Sequence, residues 1–133
     1  MDKLTEDYLK RSELRIRVLR FYFDHKGFPD VVREAQELVE LLLKAVLRHI
    51  GIEAPKVHDV SKTIIKYIDN MPRPIRENIE EIARISKYLR KERELAFYGE
   101  EDFIPSEEYS EDEAKKAIES AEFIFKIVKE SFE

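Results

Sequence analysis

Cysteine and tryptophan are absent from this 133-residue chain, and glycine occurs only three times. Without cysteine there is neither a disulfide framework nor a thiolate metal site. Three glycines are too few for a glycine-rich phosphate loop or a turn-rich all-β fold. Long hydrophobic runs are missing too: the apolar stretches are short and laced with charge, so no transmembrane segment is expected. The opening MDKLTEDYLKR carries acids and no apolar stretch, which does not read as a secretory signal. A cytoplasmic location is the default expectation. Neutral amides are scarce, one Gln and two Asn, while charged residues reach 40%. That balance is thermophile-like, the composition of a surface that works hot.

Hydrophobic residues make up 43%, enough for one core, and the length predicts a single domain over residues 1–133. The net charge of −5 conceals a polarity. Residues 94–114 contain nine acids and no Lys or Arg, so the rest of the chain carries +4. Total charge excludes a strongly basic nucleic-acid binder, but it leaves room for a local basic cleft.

The patterning predicts helices throughout. A first helix over about 5–26 places Leu14, Val18, Phe21 and Tyr22 on one face, widened by Leu9, Ile16, Leu19 and Phe23. Thr5 is its expected N-cap, and Gly27 with Pro29 its stop. A second helix, about 30–50, has Asp30 as N-cap and Gly51 as C′ glycine. It is the most apolar segment and the expected centre. Its polar stripe is Arg33, Glu37, Glu40, Lys44 and Arg48. A short helix over about 59–70 follows, with His58 and Asp59 at its start. The next runs over about 74–97, opened by Pro74 and stopped by Gly99, with Ile75, Ile79, Ile82, Ser86 and Leu89 inward. An acidic loop over 99–109 precedes a last helix. Ser110 and Glu113 form a capping box there, ahead of the stripe Ala114, Ala117, Ile118, Ala121, Ile124, Phe125 and Val128. The expected fold is all-α, an up-and-down bundle of four long helices plus one short helix. Tyr22, Phe23, Phe28, Phe123 and Phe132 exceed what one small bundle hides, which points to a homodimer.

Candidate chemistry is sparse. His25, His49 and His58 are not paired at helical spacing, and no Glu-x-x-His occurs, so no metal or other cofactor is expected. Ser12, Ser61, Thr63, Ser120 and Ser131 read as ordinary helix residues without a nucleophile elbow. The remaining signal is YLRKERELAFYG, residues 88–99. Arg84, Lys87, Arg90, Lys91 and Arg93 are concentrated at the end of the helix over about 74–97, with Tyr88, Phe97 and Tyr98 interleaved. Such a cluster can hold phosphates and stack bases, or simply be a solvated helix end whose cations oppose the dipole. Glu40 and Lys44 have the favourable order of an i,i+4 pair, worth about 0.3–0.5 kcal/mol.

The stretch VVREAQELVELLLKAVLRHIGIEAPKVHDV resembles the opening half of the HEPN family, the higher eukaryotes and prokaryotes nucleotide-binding domain. The matching positions are Ala35, Gln36, Glu40, Lys44, Gly51, His58 and Asp59. RELAFYG is similar to the region of that family's Arg motif, through Arg93, Ala96, Tyr98 and Gly99; Pro105, Tyr109 and the last helix's alanines match as well. The likeness covers about 5–128. It implies a helical bundle, usually a homodimer. Many members are metal-independent ribonucleases, often toxins, with an Arg-x(4–6)-His motif; others work beside a minimal nucleotidyltransferase. Here the His is missing. Counting from Arg93, its positions hold Tyr98, Gly99 and Glu100, and from Arg90, Leu95, Ala96 and Phe97. A phenol with a reference pKa near 10 is a poor base at neutral pH.

Two functional classes follow. One is a noncatalytic module that holds a nucleotide or RNA phosphate through Arg90, Arg93 and Tyr98, with Glu40 and Lys44 on the same cleft. It would act with a nucleotidyltransferase partner in a toxin–antitoxin-like system. The other is a ribonuclease toxin in which Arg93 works with Tyr98 or His58. A structural dimer with no small-molecule site is a third.

Overall fold

A computed structural model describes residues 2–56 and 59–133, and it is all-helical with no strand among them. Four long helices form the bundle: α1 (Lys3–Asp24), α2 (Phe28–His49), α5 (Ile79–Phe97) and α7 (Glu111–Ser131). Between α2 and α5 lie α3 (Val60–Lys66), a 3₁₀ turn (Ile68–Asn70) and α4 (Arg73–Glu77). The one-turn α6 (Pro105–Glu108) sits within the acidic loop.

The expected central helix is central. α2 packs against α1, α5 and α7, and buries Val31, Val32, Leu38, Leu42, Leu43, Val46 and Leu47. Ion pairs fix the directions of its neighbours. Asp2–Arg48 ties the start of α1 to the end of α2, and Arg20–Glu122 with Glu13–Lys129 sets α7 antiparallel to α1. Arg93–Glu37 and the stacking of Arg33 on Phe97 set α5 antiparallel to α2. The long helices therefore alternate in direction.

Several local expectations hold. Ser110 and Glu113 make the capping box of α7. Gly51 and Gly99 both take positive φ, at 81° and 68°, where a glycine costs least. Asp59 caps α3 by accepting from the Ser61 N–H at 3.0 Å. His58 lies outside the described residues.

Others are corrected. The N-cap of α1 is Asp2, whose carboxylate accepts from the Thr5 N–H at 2.8 Å, and Thr5 itself is buried. The second helix starts earlier than Asp30, at Phe28 with Gly27 as N-cap, because Pro29 fits the first turn. The segment 74–97 is broken at Asn78, whose side-chain amide donates to the Pro74 carbonyl at 2.8 Å in place of a continuing turn. The inward face of α1 is turned: Thr5, Ser12 and Leu19 are buried, while Leu14 and Phe21 are exposed. Ser12 tolerates burial because its hydroxyl donates to the Tyr8 carbonyl at 2.7 Å. The homodimer expectation stands apart from these corrections: Tyr22, Phe23, Phe28, Phe123 and Phe132 pack against the core of one chain yet stay partly exposed.

Candidate anion groove

The polar stripe of α2 runs between α1 and α5, and the charged side chains of three helices meet there. Glu37 is shared by three arginines. Arg33 and Arg93 donate to its Oε1 at 3.2 and 3.5 Å, and Arg15 lies 3.7 Å from Oε2. Glu34 takes a second contact from Arg15 and lies 3.7 Å from Arg33. Arg33 is fixed further by Phe97, its guanidinium carbon standing 4.3 Å from the ring centroid. One turn along α2, Lys44 pairs with Glu40 at 3.2 Å.

Beside this network is a groove of about 270 Å³ lined by Arg11, Arg15, Glu37, Glu40, Leu41, Lys44 and Arg93. Four cations face two carboxylates, in a chain whose net charge is −5. With Arg11, whose one contact is Asp7 at 3.8 Å, Arg93 is the least committed of them. Its side chain is 50% exposed and makes one long hydrogen bond to a carboxylate oxygen that Arg33 also uses. A guanidinium has five N–H donors in a planar fork, so most of Arg93's remain available to a phosphate or carboxylate.

The sequence-derived candidates divide. Arg93, Glu40 and Lys44 share this groove. Arg90 lies on the neighbouring face of α5, 3.4 Å from Asp59. It borders a nook of about 10 Å³ with Gln36, Glu40 and Ser86, room for about one water. Glu40 is the junction, since it lines both places and accepts from Gln36 Nε2 at 3.0 Å. The other amide atom of Gln36, Oε1, is buried without a partner among the described residues. Tyr98 is not brought in. It is the C-cap of α5, 77% exposed, and stands edge-on to Phe97. At 100° per residue it is about 140° round the axis from Arg93.

Sequence reasoning missed Arg11 and Arg15. Their i,i+4 spacing on α1 was the available signal, but nothing local says that α1 turns that edge toward Glu37. No histidine lines the groove. His25 stacks on Phe21 at the far end of α1, about 15 Å along the helix from Arg15. His49 packs on Phe132, about 18 Å along α2 from Glu37. The suggested alternative base, His58, lies outside the described residues. Among the described residues no cluster of His, Asp and Glu could hold a metal ion, and no helix is long and apolar enough to cross a membrane.

Comparison with known proteins agrees with the likeness read from the residues. The chain is 26% identical over 133 residues to a protein of Methanocaldococcus jannaschii (strain ATCC 43067 / DSM 2661 / JAL-1 / JCM 10045 / NBRC 100440) named "Putative toxin MJ1304". That match covers 96% of this chain and 88% of the relative. No solved structure matches. The HEPN domain family matches residues 5–131, nearly the whole length, and the chain belongs to that family.

Proposed function

We propose that this protein is a noncatalytic HEPN module that holds nucleotide or RNA phosphate in the groove between α1, α2 and α5. The observation that carries the reading is the excess of cations at Arg11, Arg15, Lys44 and Arg93 around two carboxylates. Arg15 and Arg33 brace Glu34 and Glu37, and Arg93 offers its free donors to the ligand. Arg90 and Tyr98 extend the contact along α5 only if the strand wraps that helix. A homodimer and a minimal nucleotidyltransferase partner, in a toxin–antitoxin-like system, belong to the same proposal; the name of the archaeal relative supports that setting.

Calorimetric titration with ATP and with a short oligouridylate tests it. Binding by the wild type that weakens about tenfold in Arg93→Ala is expected, as for loss of one charge-assisted phosphate contact. Equal affinity in both proteins sinks the reading.

The relative's name also favours a second reading, a metal-independent ribonuclease toxin with an atypical motif. Cleaving RNA through its own 2′-OH needs a proton carrier near neutrality and a cation on the developing phosphorane. Arg93 supplies the cation, and Tyr98 stands in the four-spaced slot of the motif. Incubation of mixed RNA in EDTA, with Arg93→Ala beside the wild type, separates the two. Intact RNA in both lanes favours the binding module, and cleavage by the wild type alone establishes the nuclease.

A further inference from the structure

The other flank of α5 carries a second groove that the anion site does not use. α5 and α7 both pack on α2 but touch one another only sparingly, and the gap between them has a volume of about 560 Å³. Its floor is apolar: Ile85, Leu89, Ala117 and Phe123. Tyr88 stands half-exposed on its edge.

The rim has a sign. Glu81, Glu113 and Glu119 border the groove, against Arg84 and Lys116. Arg84 and Glu81 neutralise one another, since Nε and Nη2 of Arg84 both bind Glu81, which leaves Glu113 and Glu119 against Lys116. Beyond the Glu113 end the charge becomes more negative. Glu92 accepts from the Tyr109 hydroxyl at 2.9 Å beside Tyr88, and the stretch 94–114 has nine acids with no Lys or Arg. Partial burial first, and then the charges of Glu92 and Glu113, hold the Tyr88 phenol above the ordinary tyrosine value.

Length and shape fit a helix. The lining positions span 81–89 on α5 and 113–123 on α7, about 12–15 Å at 1.5 Å per residue. That is two to three turns, room for anchors at i, i+4 and i+7. A groove between two helices with an apolar floor and an acidic rim complements an amphipathic helix whose polar face is basic.

We propose that the α5–α7 groove docks a basic amphipathic helix of a partner protein. The surface is separate from the anion groove, about 140° round α5 from Arg93 at Tyr88. Occupying it leaves Arg93 free, so one partner and one phosphate ligand fit together.

The chain has no tryptophan, so a single indole on a probe peptide reports binding without background from the protein. The probe is a helical peptide of about 14 residues with Leu at i, i+4 and i+7, one Trp on the same face, and Lys elsewhere. A Glu-for-Lys version is its control. The basic peptide should bind with a blue-shifted indole emission, at least about tenfold more tightly than the acidic one. Ser120→Arg places bulk and positive charge in the groove and should weaken binding about tenfold or more. Tyr88→Ala, on an exposed side chain, should weaken it to a lesser degree. Asn70→Arg makes the same charge change on an exposed turn elsewhere, and Arg93→Ala removes the anion site; both should leave peptide binding intact. Circular dichroism melts verify that each variant is folded. Equal weakening by Asn70→Arg and Ser120→Arg would mean diffuse charge attraction and overturns the proposal. So does a wild-type dimer in sedimentation that Ser120→Arg dissolves, since the occupant is then a second copy.

Discussion

Glu37 is the position where a stability role and a binding role have opposite signs. It holds Arg15, Arg33 and Arg93 together across three helices. Glu37→Gln removes the charge and keeps the shape. The pairs are partly exposed, so their loss should cost about 1 kcal/mol in total, about 3–5 °C in Tm for a domain of this size. Binding should move the other way. Arg93 lies 3.5 Å from the carboxylate oxygen, and a phosphate oxygen on its outer donors would sit about 2.8 Å beyond. The phosphate then feels Glu37 at about 6 Å, a repulsion of about 0.7 kcal/mol in water and about 3 at an effective dielectric of 20. The groove is open, which favours the lower end, so about 1 kcal/mol, or fivefold tighter binding, is expected.

Calorimetry with an oligouridylate at several salt concentrations measures it. With up to four cations engaged, the slope of log K against log salt should reach about −2.8 in the wild type, and Arg93→Ala should reduce its magnitude by about 0.7. A Glu37→Gln variant that melts lower and binds no tighter would refute the reasoning. The three arginines would then be a bracing network and nothing more.

Two further predictions concern the elements that carry the groove. Gly99 and Gly51 both have positive φ, but a Cβ on Gly99 would lie 2.6 Å from the Phe103 carbonyl and the Pro105 ring, while one on Gly51 meets nothing. Gly51→Ala should therefore cost about 1 kcal/mol and Gly99→Ala about 3, a difference read directly from two thermal melts. Asp2 has its carboxyl held below the usual value, first by the Thr5 N–H and also by Arg48. Its folded pKa is depressed, so its contribution is present above the unfolded value near 3.9 and is lost as pH falls through the folded one. Protection of the first-turn amides of α1, taken against their intrinsic exchange rate at each pH, should fall below about pH 4 in the wild type, and Asp2→Asn should lose that acid dependence.

Local chemistry made most of the bundle legible in the sequence. The capping box at Ser110, the turn glycines Gly51 and Gly99, and the apolar stripe of α7 each encode their geometry within a few residues. α1 was harder because it offers two apolar stripes. One runs through Leu14, Val18 and Phe21, and the other through Leu9, Ile16, Leu19 and Phe23. The buried edge also includes Thr5 and Ser12, whose polarity disguises it. Ser12 meets its hydrogen-bonding need within its own helix, so burial costs little, and hydropathy alone cannot see that. Choosing the wrong stripe hides Arg11 and Arg15, because their placement in the groove depends on how α1 is rotated. Arg93, Glu40 and Lys44 could be found because the family likeness supplied the long-range pairing that patterning lacks.

An acidic protein acquires a positive groove through the order of charges on α2. Arg33–Glu37 and Glu40–Lys44 are i,i+4 pairs, so the floor largely neutralises itself. The sign is then set by the walls, Arg11 and Arg15 from α1 and Arg93 from α5, set against Asp7 beside Arg11 and Glu34 beside Arg15. If so, reversing a floor pair should matter little, while reversing a wall charge should matter greatly. In Glu40→Lys combined with Lys44→Glu the pair survives in the opposite order, about 0.3 kcal/mol less favourable on a helix. The orphaned Gln36 Oε1 gains a donor when its amide turns toward the new lysine. Oligouridylate affinity should stay within about threefold of the wild type. Arg93→Glu exchanges attraction for repulsion at the same point and should weaken binding about a hundredfold, two contributions of about 1.4 kcal/mol each. Comparable losses in both variants would mean that Lys44 itself grips the phosphate and that the floor, not the wall, is the site.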